Sequence, residues 1–400
     1  MLSISAKDWF LLLFGAICGV LADRTIGQLL LDRVRERWRR WRRTVKSEKA
    51  MRRLQVSGEL VKVGHKSEYV FIHQFSPVGF DSTTLHTKVV DEPPLEARIA
   101  RLPDELRPIA VSELADRIER ERQRLEESPT AWNEDKLGLS AVYVGREPQH
   151  DWPTLTIHFH QTDYATFRTF TGAWQEHVKG IDLAELLPAE RLREVQPGLS
   201  HSFGVNATVV TADRRVLLTK RSVVTSSARP LKHISVNEGM RADDLDDETK
   251  RPDPYKTLMR GIREEIGIDA TAGRAIFHTI MLDATHYQWA LLGHVDLSDT
   301  EWDAARVLSA RAVGRAIDNW ETDRLRAVPF TLDDVLRELE EPDTWIAHGW
   351  VNLLLSAMYS FTSGHDRLLT LLTETRARRR RDVTVPKPSS PIDAPNEVAR

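Results

Sequence analysis

DPYKTLMRGIREEIGI, running from Asp253 to Ile268, is the stretch whose reading decides the fold. Leu258, Met259, Ile262 and Ile266 recur at spacings of three and four, which places them on one apolar face of a helix. Arg260 and Glu264 lie four apart and are therefore neighbours on another face, with Glu265 at its edge. Gly267 suits the left-handed residue that ends such a helix. Two adjacent carboxylates beside the end of a packed helix are the oxygen donors that a hard cation takes.

Outward from this helix, Phe203 to Thr211 reads as a β-rich run and Ala212-Asp213-Arg214 as a turn. Arg215 to Arg221 is a second strand. Lys232 to Val236 leads to Asn237-Glu238-Gly239, and an acidic insertion, Asp243 to Glu248, reads as a mobile surface loop. Phe277 to Leu282 and Tyr287 to Val295 supply further strands. Strands enclosing a helix with exposed acids give an α+β class.

On these residues the chain resembles the Nudix hydrolase family, whose box is G-x5-E-x7-R-E-U-x-E-E-x-G-U, with U a bulky aliphatic residue. Arg260, Ile262, Glu264, Glu265, Gly267 and Ile268 match its second half in order and spacing. Gly239 matches the opening glycine, 21 positions before Arg260, seven more than the box has, and the acidic insertion accounts for the difference. Gly261 stands where the box has a glutamate after its arginine. The first glutamate of the box falls on Pro252, with Asp253 next to it. The resemblance covers about Leu199 to Glu340, including the VTADRRVLLTKRS hairpin and the segment from Trp320 to Phe330.

The resemblance implies an α/β/α sandwich with a mixed sheet. It also implies Mg²⁺ or Mn²⁺ held by Glu264 and Glu265 with the Gly239 carbonyl, and Arg260 orienting the carboxylates. A diphosphate is anionic and a poor electrophile, so divalent ions and a proton acceptor are what its hydrolysis needs. With Gly261 in place of an acid, the candidates for that acceptor are Glu321, Asp283 and Glu238, in that order.

The 400 residues suffice for two or three domains, and 56 Lys/Arg against 59 Asp/Glu leave a net charge of -3 that favours no partner. Cys18 is the only cysteine, which excludes an internal disulfide and a cysteine-based zinc finger. Trp9 to Ala22 is an uncharged apolar run, and Thr25 to Leu31 is largely apolar again. Residues 1–31 are expected as a single-pass membrane anchor, against an interfacial helix or a cleaved signal peptide. The basic helix 32–53 then lies on the cytoplasmic side with the main body, and reads as a topology signal rather than a nucleic-acid site.

Residues 54–195 are expected as a smaller α+β domain, with strands at Val56–Val63 and Glu68–Phe75 and a turn at Val78-Gly79-Phe80-Asp81. The DEPPLEARIARLP stretch reads as a surface connection, and Ser112–Glu127 as a helix. His158 and His160 share a strand face but lack a third nearby ligand. Residues 196–375 form the Nudix-like domain with its C-terminal helices, and 376–400 a basic then Pro/Ser-rich disordered tail. The first expectation is therefore a membrane-anchored, Mg²⁺-dependent hydrolase of a nucleoside diphosphate linked to another moiety. The second is a non-catalytic Nudix-fold sensor that binds a nucleotide, and the third a membrane-associated interaction protein.

Overall fold

Eight residues, Phe203–Val210 (β6), are buried without exception, so a layer covers each face of this strand. Phe203, Val205, Ala207 and Val209 belong to one core cluster with Leu258, Ile262 and Ile266. The alternate residues face the other way, toward a long apolar helix near the C-terminus. The computed structural model describes residues 57–64, 68–128, 133–146, 153–221, 231–271, 274–317, 322–361 and 366–371. The expected anchor 1–31, the basic helix 32–53 and the tail 376–400 lie outside them. Among the described residues no helix is long and apolar enough to cross a membrane.

The fold is α+β with a mixed sheet. Its strands are β1 (Glu59–Lys62), β2 (Tyr69–Phe80), β3 (Leu85–Val89), β4 (Asp135–Arg146), β5 (Pro153–Asp163), β6, β7 (Arg215–Arg221), β8 (Lys232–Ile234), β9 (Val236–Gly239), β10 (Ala275–Asp283), β11 (Gln288–Asp296) and β12 (Thr322–Pro329). The large sheet runs β1-β2-β10-β11-β6-β7-β12, with β8 beside β7 and β9 beside β6. β11 and β6 pair in parallel, from Trp289 opposite Phe203 to Asp296 opposite Val210, and the other pairs are antiparallel. A smaller sheet, β3-β5-β4, carries the remaining strands. The stretch 54–195 thus feeds both sheets.

The same stretch carries helices α1 (Leu95–Ala100), α2 (Val111–Glu126), α3 (Tyr164–His177), α4 (Leu183–Leu186) and α5 (Ala189–Leu192); α2 packs on α3 and α3 on β5, while α5 packs on β2 of the large sheet. Pro188 separates α4 from α5, as its sequence position predicts. In the DEPPLEARIARLP stretch, expected as a surface connection, Ile99 of α1 and the following Leu102 are buried. Their apolar side chains pin to the core a segment whose prolines read as loop. At the turn expected over Val78–Asp81, β2 continues to Phe80, but its pairing with β10 shifts register between Phe75 and Phe80. Gly79 takes φ +77°, and a Cβ there would stand 2.3 Å from Ile276 Cγ1, so glycine lets the strand pass close to β10.

The quoted stretch forms α6 (Pro254–Gly261), capped by Asp253, whose side chain accepts from the Tyr255 N–H at 2.9 Å. The single helix expected there changes after Gly261 into a π turn over Ile262–Ile266. The Gly267 N–H bonds Ile262 O at 3.1 Å, five residues back, and Gly267 itself adopts φ +85°. After α7 (Ala304–Ala312) and α8 (Leu332–Leu339), α9 (Ala347–Ser360) buries eleven residues, Trp350 and Leu354 among them. It packs on the face of the large sheet away from α6, and its Ser356 hydroxyl lies 3.0 Å from Nε2 of His278 on β10.

Candidate functional site

β9 ends where the first residues of β4 begin, and this join builds the candidate site. Lys136 bridges Arg241, and the Ala242 N–H bonds Asp135 O at 3.0 Å. Glu134 and Lys136, two apart, fall on one side of that extended segment. Glu134 accepts from Lys136 Nζ at 2.8 Å and faces Arg241 Nε at 2.5 Å. Arg241 in turn reaches Glu264 Oε2 at 3.6 Å.

Arg260 is the centre. Its Nη1 lies 3.0 Å from Glu238 Oε1 and 3.2 Å from Glu264 Oε2. Its Nη2 donates to Asp244 Oδ2 at 2.8 Å and to Gly239 O at 2.9 Å, while Nε donates to Asp244 Oδ1 at 3.2 Å. Burial lowers the basicity of this guanidinium, but the Asp244 bonds and the Glu238 charge raise it by more, so it stays a fixed cation. The helical spacing of Arg260 and Glu264 is thus realised as an ion pair.

Asp244 departs from the reading of the acidic insertion as a mobile surface loop, whereas Asp243, Asp247 and Glu248 are exposed as that reading has them. The Asp244 side chain is 5 % exposed and also accepts from the Arg241 N–H and the Thr257 hydroxyl, each at 2.9 Å. Burial would raise this carboxyl, yet Arg260 and the Arg241 N–H hold it below its ordinary value. Composition pointed to a solvated loop because the neighbouring acids are solvated. Only the fold turns this one inward. The opposite balance holds at Glu238, where burial outweighs Arg260 and pushes the carboxyl up.

Gly261 has a steric reason. A Cβ there would stand 2.7 Å from Val236 Cγ1 and 3.0 Å from the Glu238 Cβ. The stem of Glu238 fills the space, and Glu238 joins the site from β9.

No protein-family model matches this chain, and no curated protein matches it.

The three groups expected to hold a metal are brought to one place, but each is already engaged. Glu264 and the Gly239 carbonyl both bond Arg260. Glu265 is buried, and its Oε1 accepts the Asn237 N–H at 2.9 Å. Mg²⁺ demands near-octahedral oxygens at about 2.0–2.1 Å, whereas here a guanidinium sits among them. Among the described residues no group of three or more His, Cys, Asp or Glu is arranged to hold a metal ion. The donor set as folded does not fit Mg²⁺ or Mn²⁺.

The proton-acceptor candidates separate. Glu238 lies in the site. Asp283 bonds His286 and His348 under α9 instead. Glu321 lies outside the described residues. Of the strand pair in the small sheet, His160 has both ring nitrogens taken, Nε2 by Arg98 at 2.7 Å and Nδ1 by the Ser140 hydroxyl at 3.0 Å. Burial first, and then the Arg98 charge, lower His160 to about 2. Glu134, Lys136, Arg241 and Asp244 escaped the sequence reading. The first two come from another sheet, over a hundred positions before Arg260.

Proposed function

We propose that residues 199–340 form a Nudix-type module that binds a nucleoside diphosphate derivative without cleaving it. The observation that carries this reading is Arg260 lying among the oxygens of Glu238, Gly239, Asp244 and Glu264. Four acids, Glu134, Glu238, Asp244 and Glu264, face three cations, Lys136, Arg241 and Arg260, in a network that is nearly neutral without added ions. Breaking such a half-buried network to admit a divalent ion is costly, because it strips partners from desolvated charges.

An anion has an easier entry. The Arg241 side chain is 28 % exposed, and its contact to Glu264 is long at 3.6 Å. A guanidinium that exchanges a loosely held carboxylate for a diphosphate gains two parallel N–H···O bonds in the same plane. The expected anchor 1–31 would then place this sensor at a membrane, with the body on the cytoplasmic side.

A second reading, Mg²⁺-dependent hydrolysis, is favoured by one observation: Glu238 lies on the same guanidinium nitrogen as Glu264, with its carboxyl pushed up by burial. A carboxylate whose affinity for a proton is raised above the ordinary value is a better proton acceptor.

Calorimetry of the full-length chain with nucleoside diphosphate derivatives, with and without Mg²⁺, decides between them when run beside a chromatographic assay for the nucleoside monophosphate that cleavage of the diphosphate would form. Saturable binding that needs no Mg²⁺, is lost in Arg241→Gln and comes without nucleoside monophosphate is the expected result. Formation of nucleoside monophosphate that disappears in Glu238→Gln would establish the hydrolase instead.

A further inference from the structure

On the sheet face covered by α9, four titratable side chains stand in a line. Asp283 closes β10, and its Oδ1 accepts from the N–H groups of Thr285 at 3.0 Å and His286 at 3.3 Å. Its Oδ2 lies 2.9 Å from His286 Nδ1 and 3.2 Å from His348 Nδ1. His348 Nε2 lies 2.9 Å from Nε2 of His233 on β8, and His233 Nδ1 lies 3.2 Å from Ile234 O. Asp283 and His233 are both buried.

The row from Asp283 through His348 and His233 to Ile234 O has three junctions with an acceptor at each end. Two neutral imidazoles carry two N–H groups between them, one too few. One junction would then set two lone pairs face to face in a buried place, where an unmade hydrogen bond is expensive. A third proton closes all three: His348 donates from both nitrogens, to Asp283 and to His233, and His233 donates to Ile234 O.

We infer that His233 and His348 together bind one proton beyond their neutral forms, and that this proton latches the first turn of α9 to β8 and β10. The proton belongs on His348. Burial lowers His233, and the charge on His348 lowers it further. A cation in the first turn of α9 is opposed by the helix N-terminus, whose cap residue Ile346 supplies no side-chain bond. Asp283 offsets this. Burial would raise its carboxyl, yet His286 and His348 hold it well below the ordinary carboxylate range. The other charges acting on the row are Arg221 at the end of β7, which opposes protons on His233 and His286, and Glu68 before β2, which favours the proton on His286.

The third proton completes a hydrogen bond that the neutral pair leaves unmade, so the folded row gains stability from binding it. A stabilisation that depends on a bound proton is lost as pH rises. β8 continues through Ser235 into β9, which carries Glu238 and Gly239, so the latch and the candidate site share one chain segment.

Nitrogen-15 NMR of the histidine rings in the full-length chain, over about pH 5 to about pH 9, tests this directly. His233→Gln and His348→Gln assign the signals. The expected result is a pair that loses one proton in a single coupled step, with that step moved to lower pH in Asp283→Asn. Two rings that hold only two N–H groups between them at every pH, or that titrate separately as ordinary histidines, would overturn it. The thermal midpoint gives a second reading: it falls on the alkaline side in the wild type and is flat there in His348→Gln. An equal alkaline fall in both proteins would also overturn it, and this holds even if Asp283→Asn does not fold.

Discussion

A Cβ added to Gly261 would stand 3.0 Å from the Cβ of Glu238. The two positions compete for one space between α6 and β9, so an acid can be presented to Arg260 from the helix or from the strand, but not from both. Gly261→Ala is expected to destabilise by about 1–3 kcal/mol, the usual range for overpacking. Gly261→Glu should cost more. Pairing it with Glu238→Gly should recover part of the loss, because the space reopens while a carboxylate returns near Arg260. Urea unfolding of Gly261→Glu, Glu238→Gly and the double variant measures the coupling, and strict additivity would refute the shared space.

Arg260 holds the site together by neutralising buried acids. Arg260→Met is expected to cost about 3–5 kcal/mol, since Glu238, Asp244 and Glu264 lose their common partner in a poorly solvated place. Asp244→Asn with Arg260 retained should cost less, because the amide oxygen can still accept one bond. Equilibrium unfolding of both variants ranks them.

Glu265 tests whether its carboxylate is structural. Its Oε1 accepts the Asn237 N–H, and Gln keeps an oxygen for that bond. Glu265→Gln should therefore be mild, whereas Glu265→Ala should cost about 1 kcal/mol by removing the acceptor of a half-buried donor. Equal losses in thermal stability would argue against this bond as the main role.

Asp244 contributes to the acid limit of the domain. Its carboxyl lies below its ordinary value, so its contribution is present above about 3.9, the unfolded value, and is lost as pH falls through the folded one. Glu238 is shifted the other way and gives no such acid loss, because protonating it relieves a desolvation penalty. The wild type should lose stability below about pH 4. Asp244→Asn should start less stable at neutral pH and show a shallower acid slope in a thermal melt followed across pH.

Much of the site was legible because helices report their own periodicity. Leu258, Ile262 and Ile266 are fully buried, Arg260 meets Glu264 one turn on, and Gly267 takes the left-handed conformation. The hairpin of β10 and β11 and the Pro188 break also follow from local pattern. The π turn did not, since the apolar spacing of three and four fits an ordinary α-helix equally well. Nor did Asp244, one buried acid among several solvated ones.

By itself the sequence determined an α+β chain, a helix bearing Arg260 and Glu264, and a glycine where a resembling family has an acid. These are properties of neighbours within a few residues, which share a face through helix or strand geometry. Tertiary structure alone decided that β2 pairs with β10 some two hundred residues later, that Glu134 and Lys136 reach Arg241, and that Asp283 faces His348 instead of Arg260. Those contacts rest on long-range packing, where burial gives an ordinary carboxylate or histidine partners that its local sequence does not encode.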